Sequence, residues 1–457
     1  MASKFVNVDR DTPMLLAPDL RDWVPAKHIV HFLIDALDAC PMSSAKVNVR
    51  GTGSGQYPPQ MMLGILIYGY ITGRFSSREI EEATYIDVAM RYLAADWHPD
   101  HDTICTFRTN NGALIKDTFT SVLLLAKELK VLKVGTVSVD GTKVLANASK
   151  HKAVSYKRAG EQIQLIQEEV DELLRRAEDA DRKELADGLT IPDEIARREK
   201  RIQKLKEARG IIEARAKEAA TQQEAEYQEK LAERELKKAQ GKRVGGKEPN
   251  APSATPADGA QYNFTDPESG IMKAGNGKHF EQAFNAQAAV DADGSLLILG
   301  QRVSVQANDK QELEPTVFSI PAVIGTPSAV AADSGFYSQE QVARVEANGQ
   351  TIVYAAVGKQ SHHRRIADLE VHQEPEPLAL DATPVEKMAH RLKKAVGKAI
   401  YRLRKQTVEP VFGIVKEVMG FRRFLLRGHA KASLEWELVS LAYNCKRLFT
   451  LKNMKTA

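Results

Sequence analysis

Three carboxylates stand where a folded chain can deliver side chains to one point. Val137-Ser138-Val139-Asp140-Gly141-Thr142 is an apolar run that ends in an acid, and Val330-Ala331-Ala332-Asp333-Ser334-Gly335 repeats the pattern. The third acid, Glu409, lies in the otherwise basic stretch Tyr401 to Lys416. In an extended strand Val137 and Val139 share one face, and Ser138 and Asp140 the other. A strand inside a sheet carries its last side chain to the sheet edge, where ligands bind. If Asp140, Asp333 and Glu409 meet, they form an oxygen-only site. Mg2+ or Mn2+ takes such ligands and keeps waters, which leaves positions for phosphate oxygens. Two such ions about 4 Å apart activate an attacking hydroxyl and stabilise a leaving oxygen. Each Asp alone reads as a solvated turn residue; two apolar strands ending alike weaken that reading.

The surroundings of Glu409 carry one sign of charge. From Ala389 to Val408 there is no Asp or Glu, but there are Arg391, Lys393, Lys394, Lys398, Arg402, Arg404 and Lys405. Such a run favours phosphate partners. Lys405, Glu409 and Lys416 fall four and seven apart, so one helical face can carry all three, although Pro410 can also start a fresh turn. The plainer alternative is a solvated basic helix with a Lys405–Glu409 pair. Arg422, Arg423 and Arg427 read as backbone contacts to nucleic acid or as surface charge. His362-His363-Arg364-Arg365 reads as a surface loop that could touch phosphate. His98 and His101 lack partners at a metal spacing and read as structural, and Asp291 reads as a turn residue.

The elements that must position these groups follow from periodicity. Residues 1–130 read as a helical, DNA-binding domain. Met61 to Tyr70 follows Pro58-Pro59 and is apolar nearly all round, which suits the centre of that domain. Ser76 and Glu79 form a capping-box pattern before Ile80, Ala83, Ile86 and Met90. A further helix opens at Asp102 or Thr103. The short helices could form a helix-turn-helix reader or a helical cap. From Val134 the pattern becomes strands, then breaks at 155–259. There Ile163, Ile166, Val170 and Leu173, then Ile202, Leu205 and Ile212, predict a helical hairpin that turns at Asp187 to Asp193. Lys242 to Gly259 reads as a flexible linker. Afterwards Ala283–Asp291 and Leu296–Val303 predict a β-hairpin around Asp293-Gly294. Glu312–Ile320 predicts a helix, then come the Asp333 strand, a helix at Ser338–Ala347 and a strand at Thr351–Val357. Strand, strand, strand, helix, strand, helix, strand, helix is the order of an α/β ribonuclease-H-like fold. The catalytic domain is thus expected at 131–154 and 260–430, with a C-terminal helix at 431–457.

Composition agrees with a globular chain. The 457 residues are 43% hydrophobic and 27% charged, too many for one ordinary core. A net charge of +4 is modest, so local clusters rather than the total point to nucleic acid. The three cysteines, Cys40, Cys105 and Cys445, match neither a zinc spacing nor a disulfide framework, which suits a reducing cytoplasm. The first residues have no apolar signal core, and Met61 to Tyr70 is too short to span a bilayer.

Taken together, the motifs resemble the DDE transposases of bacterial insertion sequences, in the branch with a Tyr-Arg-Glu-Lys signature around the last acid. The resemblance rests on Tyr57-Pro58-Pro59-Gln60-Met61-Met62-Leu63, Ser76-Ser77-Arg78 and Pro99-Asp100-His101-Asp102-Thr103-Ile104. It rests further on Val139-Asp140-Gly141-Thr142-Lys143, Asn285-Ala286-Gln287-Ala288-Ala289-Val290-Asp291, Ala332-Asp333-Ser334-Gly335-Phe336-Tyr337 and Val408-Glu409-Pro410-Val411-Phe412-Gly413. It implies that Asp140, Asp333 and Glu409 are the catalytic, metal-holding triad, with two Mg2+ or Mn2+ ions per site. Lys405 stands where Arg is usual in the signature, and Tyr401 is one residue further from it than the common pattern. Tyr401, Arg402, Arg404, Lys405, Lys416, Arg422 and Arg423 are the expected DNA contacts. The implied partners are the inverted-repeat ends of the element, target DNA and further copies of the chain, a homodimer or larger, in the bacterial cytoplasm at the nucleoid. A metal-dependent nuclease without strand transfer, or an inactive DNA-binding or coiled-coil scaffold, remains the alternative.

Overall fold

A computed structural model of the chain describes residues 19–47, 55–182, 191–239, 249–273, 279–358, 375–379 and 381–456. The His362–Arg365 cluster, most of the expected hairpin turn and the first part of the expected linker lie outside them. Two compact bodies emerge: one takes the chain up to Val144 and again from Phe284, the other takes Leu145–Ala283.

In the first body, a buried helix, Pro59–Ile71, begins at the proline pair, and every residue from Met62 to Ile71 is buried. Ser76 and Glu79 form the reciprocal capping box of Ser77–Ile86. Asp100 caps His101–Asn110. The C-terminal helix, His429–Thr456, packs against Pro59–Ile71 and Gly112–Glu128, so the terminal segments share one core. A buried polar chain sits in it. Arg108 donates to the Tyr70 hydroxyl at 3.2 Å, which donates to Glu435 Oε1 at 3.2 Å. Glu435 Oε2 accepts the backbone N–H groups of Leu425 and Leu426 at 2.9 and 3.0 Å. Two residues further along the same helix, Glu437 is pushed up to about 7 by burial, with the Lys116 charge opposing.

The sheet is built from β1 (Thr136–Leu145), β5 (Phe280–Asp291), β6 (Ile298–Ser304), β7 (Ala329–Ala332) and β8 (Ile352–Ala355). Their order is β6-β5-β1-β7-β8, with β7 parallel to both β1 and β8 and β6 antiparallel to β5. This is the ribonuclease-H-like arrangement the element order predicts: the hairpin lies on one side of β1 and the parallel crossovers on the other. The expected Asp293-Gly294 turn joins β5 to β6. The helix expected over Glu312–Ile320 is shorter, Leu313–Val317, with Phe318 as its C-cap. β1 does not stop at Asp140 but continues through Gly141 to Leu145.

The second body holds the helical hairpin. Its helices, Tyr156–Arg182 and Ile191–Ala239, run antiparallel: Tyr156 bonds Arg209 and Glu213, and Glu169 pairs with Arg198. Val170, Ile202, Leu205 and Ile212 from the predicted stripe are buried. Below them β2 (Ala153–Ser155) and β3 (Gln261–Asn263) form an antiparallel pair, and Val154, Ala159, Leu205 and Ala208 make a small core with Tyr262. β4 (Gly270–Lys273) pairs antiparallel with Phe280–Ala283.

Candidate active site

The parallel register fixes the first two acids. Val139 is the last residue of β1 paired with β7, and its partner is Ala332, the last residue of β7. Asp140 and Asp333 are the next residues on each strand, so the ladder delivers two carboxylates side by side at the point where pairing ends. Asp140 Oδ1 accepts its neighbour's N–H, from Gly141, at 2.8 Å. Its Oδ2 accepts from Arg404 Nη1 at 3.1 Å in a well-buried ion pair, the side chains 19% and 12% exposed. Asp333 Oδ1 accepts the Gly335 N–H at 2.7 Å and closes a turn. Burial pushes the Asp140 carboxyl up to about 6. The Gly141 N–H and Arg404 oppose that rise, and the Asp333 and Asp309 charges add to it.

Asp309 was not among the residues the sequence singled out. It lies in the polar segment after β6, and its Oδ1 accepts from Asn285 Nδ2 and Gln287 Nε2, both at 2.7 Å. Asn285 and Gln287 are alternate residues of β5, both fully buried, and their side-chain carbonyl oxygens have no hydrogen-bond partner. A Cβ built on Gly141 would lie 2.7 Å from Asp309 Oδ1 and 2.5 Å from Gln287 Nε2. A glycine is therefore required after Asp140 for the neighbouring acid to fit.

The helix Ala395–Gly413 carries the basic stretch and buries Thr407, Val408, Val411 and Phe412. Pro410 lies inside it rather than starting a new helix, and a π-helical turn, Ile414–Val418, follows. The extra residue per turn breaks the shared face expected for Lys405, Glu409 and Lys416. Lys405 and Glu409 are exposed, whereas Lys416 turns inward and donates to Thr142 Oγ1 at 2.5 Å and to the Lys143 carbonyl at 2.9 Å. Burial lowers the Lys416 pKa, against the pull of Glu417. Glu409 has no side-chain hydrogen bond or ion pair among the described residues. Arg404, one of the expected phosphate contacts, lies on Asp140 and 6.0 Å from the Tyr401 ring. Arg402, Arg422 and Arg423 are exposed, Arg422 paired with Glu417.

The remaining candidates have local roles. Asp291 accepts the N–H and hydroxyl of Ser295 at 3.0 and 2.6 Å within the β5–β6 turn. His98 stacks on Tyr85 with ring centroids 3.9 Å apart, and His101 pairs with Glu81 at 2.7 Å.

The donor set around Asp140 suits a hard divalent cation. Its carboxylate oxygens are of the ligand type such a cation takes, and an arginine cation already occupies one Asp140 oxygen. No group of three acids, histidines or cysteines stands in ligating geometry among the described residues. No helix among them is long and apolar enough to cross a membrane.

Comparison with known families adds two matches. A family model described as Transposase DDE domain matches residues 251–445, a span that holds Asp309, Asp333 and Glu409 and begins after Asp140. A model described as Transposase domain (DUF772) matches residues 18–110, the helical region before β1. No curated protein and no solved structure matches the chain. With both transposase regions present around a ribonuclease-H-like sheet, the chain belongs to the DDE transposases of insertion sequences, metal-dependent enzymes of phosphoryl transfer on DNA.

Proposed function

We propose that Asp140, Asp333 and Glu409 are the catalytic carboxylates, that the enzyme cuts the ends of its element, and that it joins them to target DNA. The observation that carries this reading is the β1–β7 register, which ends one residue before both Asp140 and Asp333. These carboxylates would hold two Mg2+ or Mn2+ ions. When bound, such ions polarise phosphoryl oxygens and stabilise charge on the attacking and leaving oxygens. The chain's own groups prepare for that. Arg404 opposes the rise that burial imposes on the Asp140 carboxyl, and its guanidinium would have to give way for a cation to take Oδ2. Glu409 joins from the exposed face of its helix. Lys416 braces β1 just beyond Asp140 through Thr142 and Lys143.

Arg402, Lys405, Arg422 and Arg423, all exposed, are the proposed phosphate contacts, with Tyr401 beside them. Residues 1–130 would read the inverted repeats, in a homodimer or larger assembly on paired ends at the nucleoid. The Tyr-Arg-Glu-Lys branch is the family branch this spacing supports. The test is an end-cleavage and strand-transfer assay in Mg2+ with element-end DNA. Joined product supports the reading. Cut ends without joining would make the enzyme a nuclease, and binding without cutting would make it a scaffold.

A further inference from the structure

We propose that Asp309 is a further cation-holding carboxylate of this active site, presented by Asn285 and Gln287 as its positioning residues. The inference rests on the reading of Asp140 and Asp333 as metal carboxylates and adds a fourth acid to that set.

The geometry joins Asp309 to both strand ends at once. Its Oδ1 packs on Gly141, the residue after Asp140, closely enough that no Cβ could stand there. On the other side, a Cβ built on Gly335 would find Asp333 Oδ1 at 3.0 Å and Asp309 Oδ2 at 3.9 Å. Asp309 therefore lies beside both strand ends, and its charge acts on Asp140. Its carboxylate is also oriented rather than free. Two buried amides converge on Oδ1, and no hydrogen bond is made by Oδ2. Asp309 itself is half-buried, so the amides hold Oδ1 while Oδ2, on the Gly335 side, is left for a ligand from solvent.

A second observation points to a ligand. Gln287 is fully buried, and its Oε1 lacks a partner while lying 2.8 Å from the Gly141 Cβ position, beside Asp140. Asn285 Oδ1 is likewise buried and unpartnered. A buried carbonyl oxygen left unpaired is costly, so Gln287 Oε1, beside Gly141 and Asp309, calls for a donor at this acidic point. Waters held around a hard cation are such donors.

The test uses the full chain and Mn2+ as probe, titrated by the loss of the free-ion EPR signal. Asp309→Asn keeps an acceptor for both amides and removes the charge. It is expected to weaken Mn2+ binding at least about tenfold, as Asp333→Asn does, while Glu340→Gln, a surface acid, changes nothing. A Kd within twofold of wild type for Asp309→Asn, beside a large loss for Asp140→Asn and Asp333→Asn, overturns the proposal and leaves the other acids standing. If Asp140→Asn and Asp333→Asn also bind normally, the underlying reading fails instead. Asp309→Cys supplies a direct signature that folding effects do not mimic. Cd2+ prefers thiolate, so a thiolate–cadmium absorption band beyond that of the three native cysteines is expected. Its absence in folded protein overturns the proposal.

Discussion

The strand-end site and the helical hairpin are both rich in charge, and they use it in opposite ways. In the hairpin the acids and bases stand in water. Glu172 with Arg175 and Arg176, and Glu194 with Arg197 and the half-covered Arg198, are pairs three or four residues apart whose other side chains are exposed. Such pairs contribute little, because water and salt already screen them. At the strand ends, few charges are present but each is partly or wholly removed from water. There a carboxyl is pushed up to about 6, a lysine is lowered by burial, and an arginine is spent on an acid rather than on solvent. Charge density in a sequence therefore marks solubility as readily as function; burial at an element's end separates the two.

The widest contrast should come from the acids themselves. Asp140→Asn, Asp333→Asn and Glu409→Gln are each expected to lower end cleavage and strand transfer by about a thousandfold or more, since groups that act as a unit fail together. Gel-shift affinity for the same DNA should persist, because it rests on Lys and Arg contacts. Activity retained by Glu409→Gln alone would leave the exposed Glu409 outside the site. Asp291→Asn, checked by melting because Asp291 is buried, is the control and should retain chemistry.

Burial can be tested on stability as well. Glu437 has its folded pKa raised to about 7, above its unfolded value. Its contribution is thus intact below about pH 4.5 and is lost as pH rises through about 7. Glu437→Gln should match wild type at acid pH and be more stable at pH 8 by roughly 1–3 kcal/mol. Denaturant titrations at the two pH values measure this, and an equal gap at both would show that the carboxyl titrates normally.

Two lysines on one helical segment sharpen the comparison further. Lys405→Ala, exposed, should reduce the log–log salt slope of DNA binding by about one unit without moving the melting temperature. Lys416→Ala should leave the slope unchanged and lower stability by roughly 1–2 kcal/mol as its bonds to Thr142 and Lys143 are lost. The reverse pattern would place Lys416 at phosphate. Smallest of all, Glu172→Gln and Glu194→Gln in the hairpin should leave melting and DNA binding unchanged within error.

Asp140 and Asp333 were legible because an apolar run that ends in an acid has few other uses, and the sheet order could be read from alternation and turns. Asp309 was hidden because Val305 to Lys310 is a polar loop in which one more Asp means nothing by itself. The signal lay elsewhere: a glycine one residue after Asp140 and two after Asp333, and two amides, Asn285 and Gln287, at alternate positions in the Ala- and Phe-rich middle of β5. The Lys405–Glu409–Lys416 face failed for a different reason, since a π turn changes helical phase without leaving a compositional mark. Arg404 looked like its basic neighbours, and only folding turns it inward.

The β2–β3 ladder has a practical consequence for protein engineering. Ser155 pairs with Gln261, and Tyr156 donates its N–H to the Ala260 carbonyl, so the chain leaves and returns at adjacent points. That makes the ladder a socket: a reporter domain with closely spaced termini could be grafted in place of the helices while the two strand ends stay clasped.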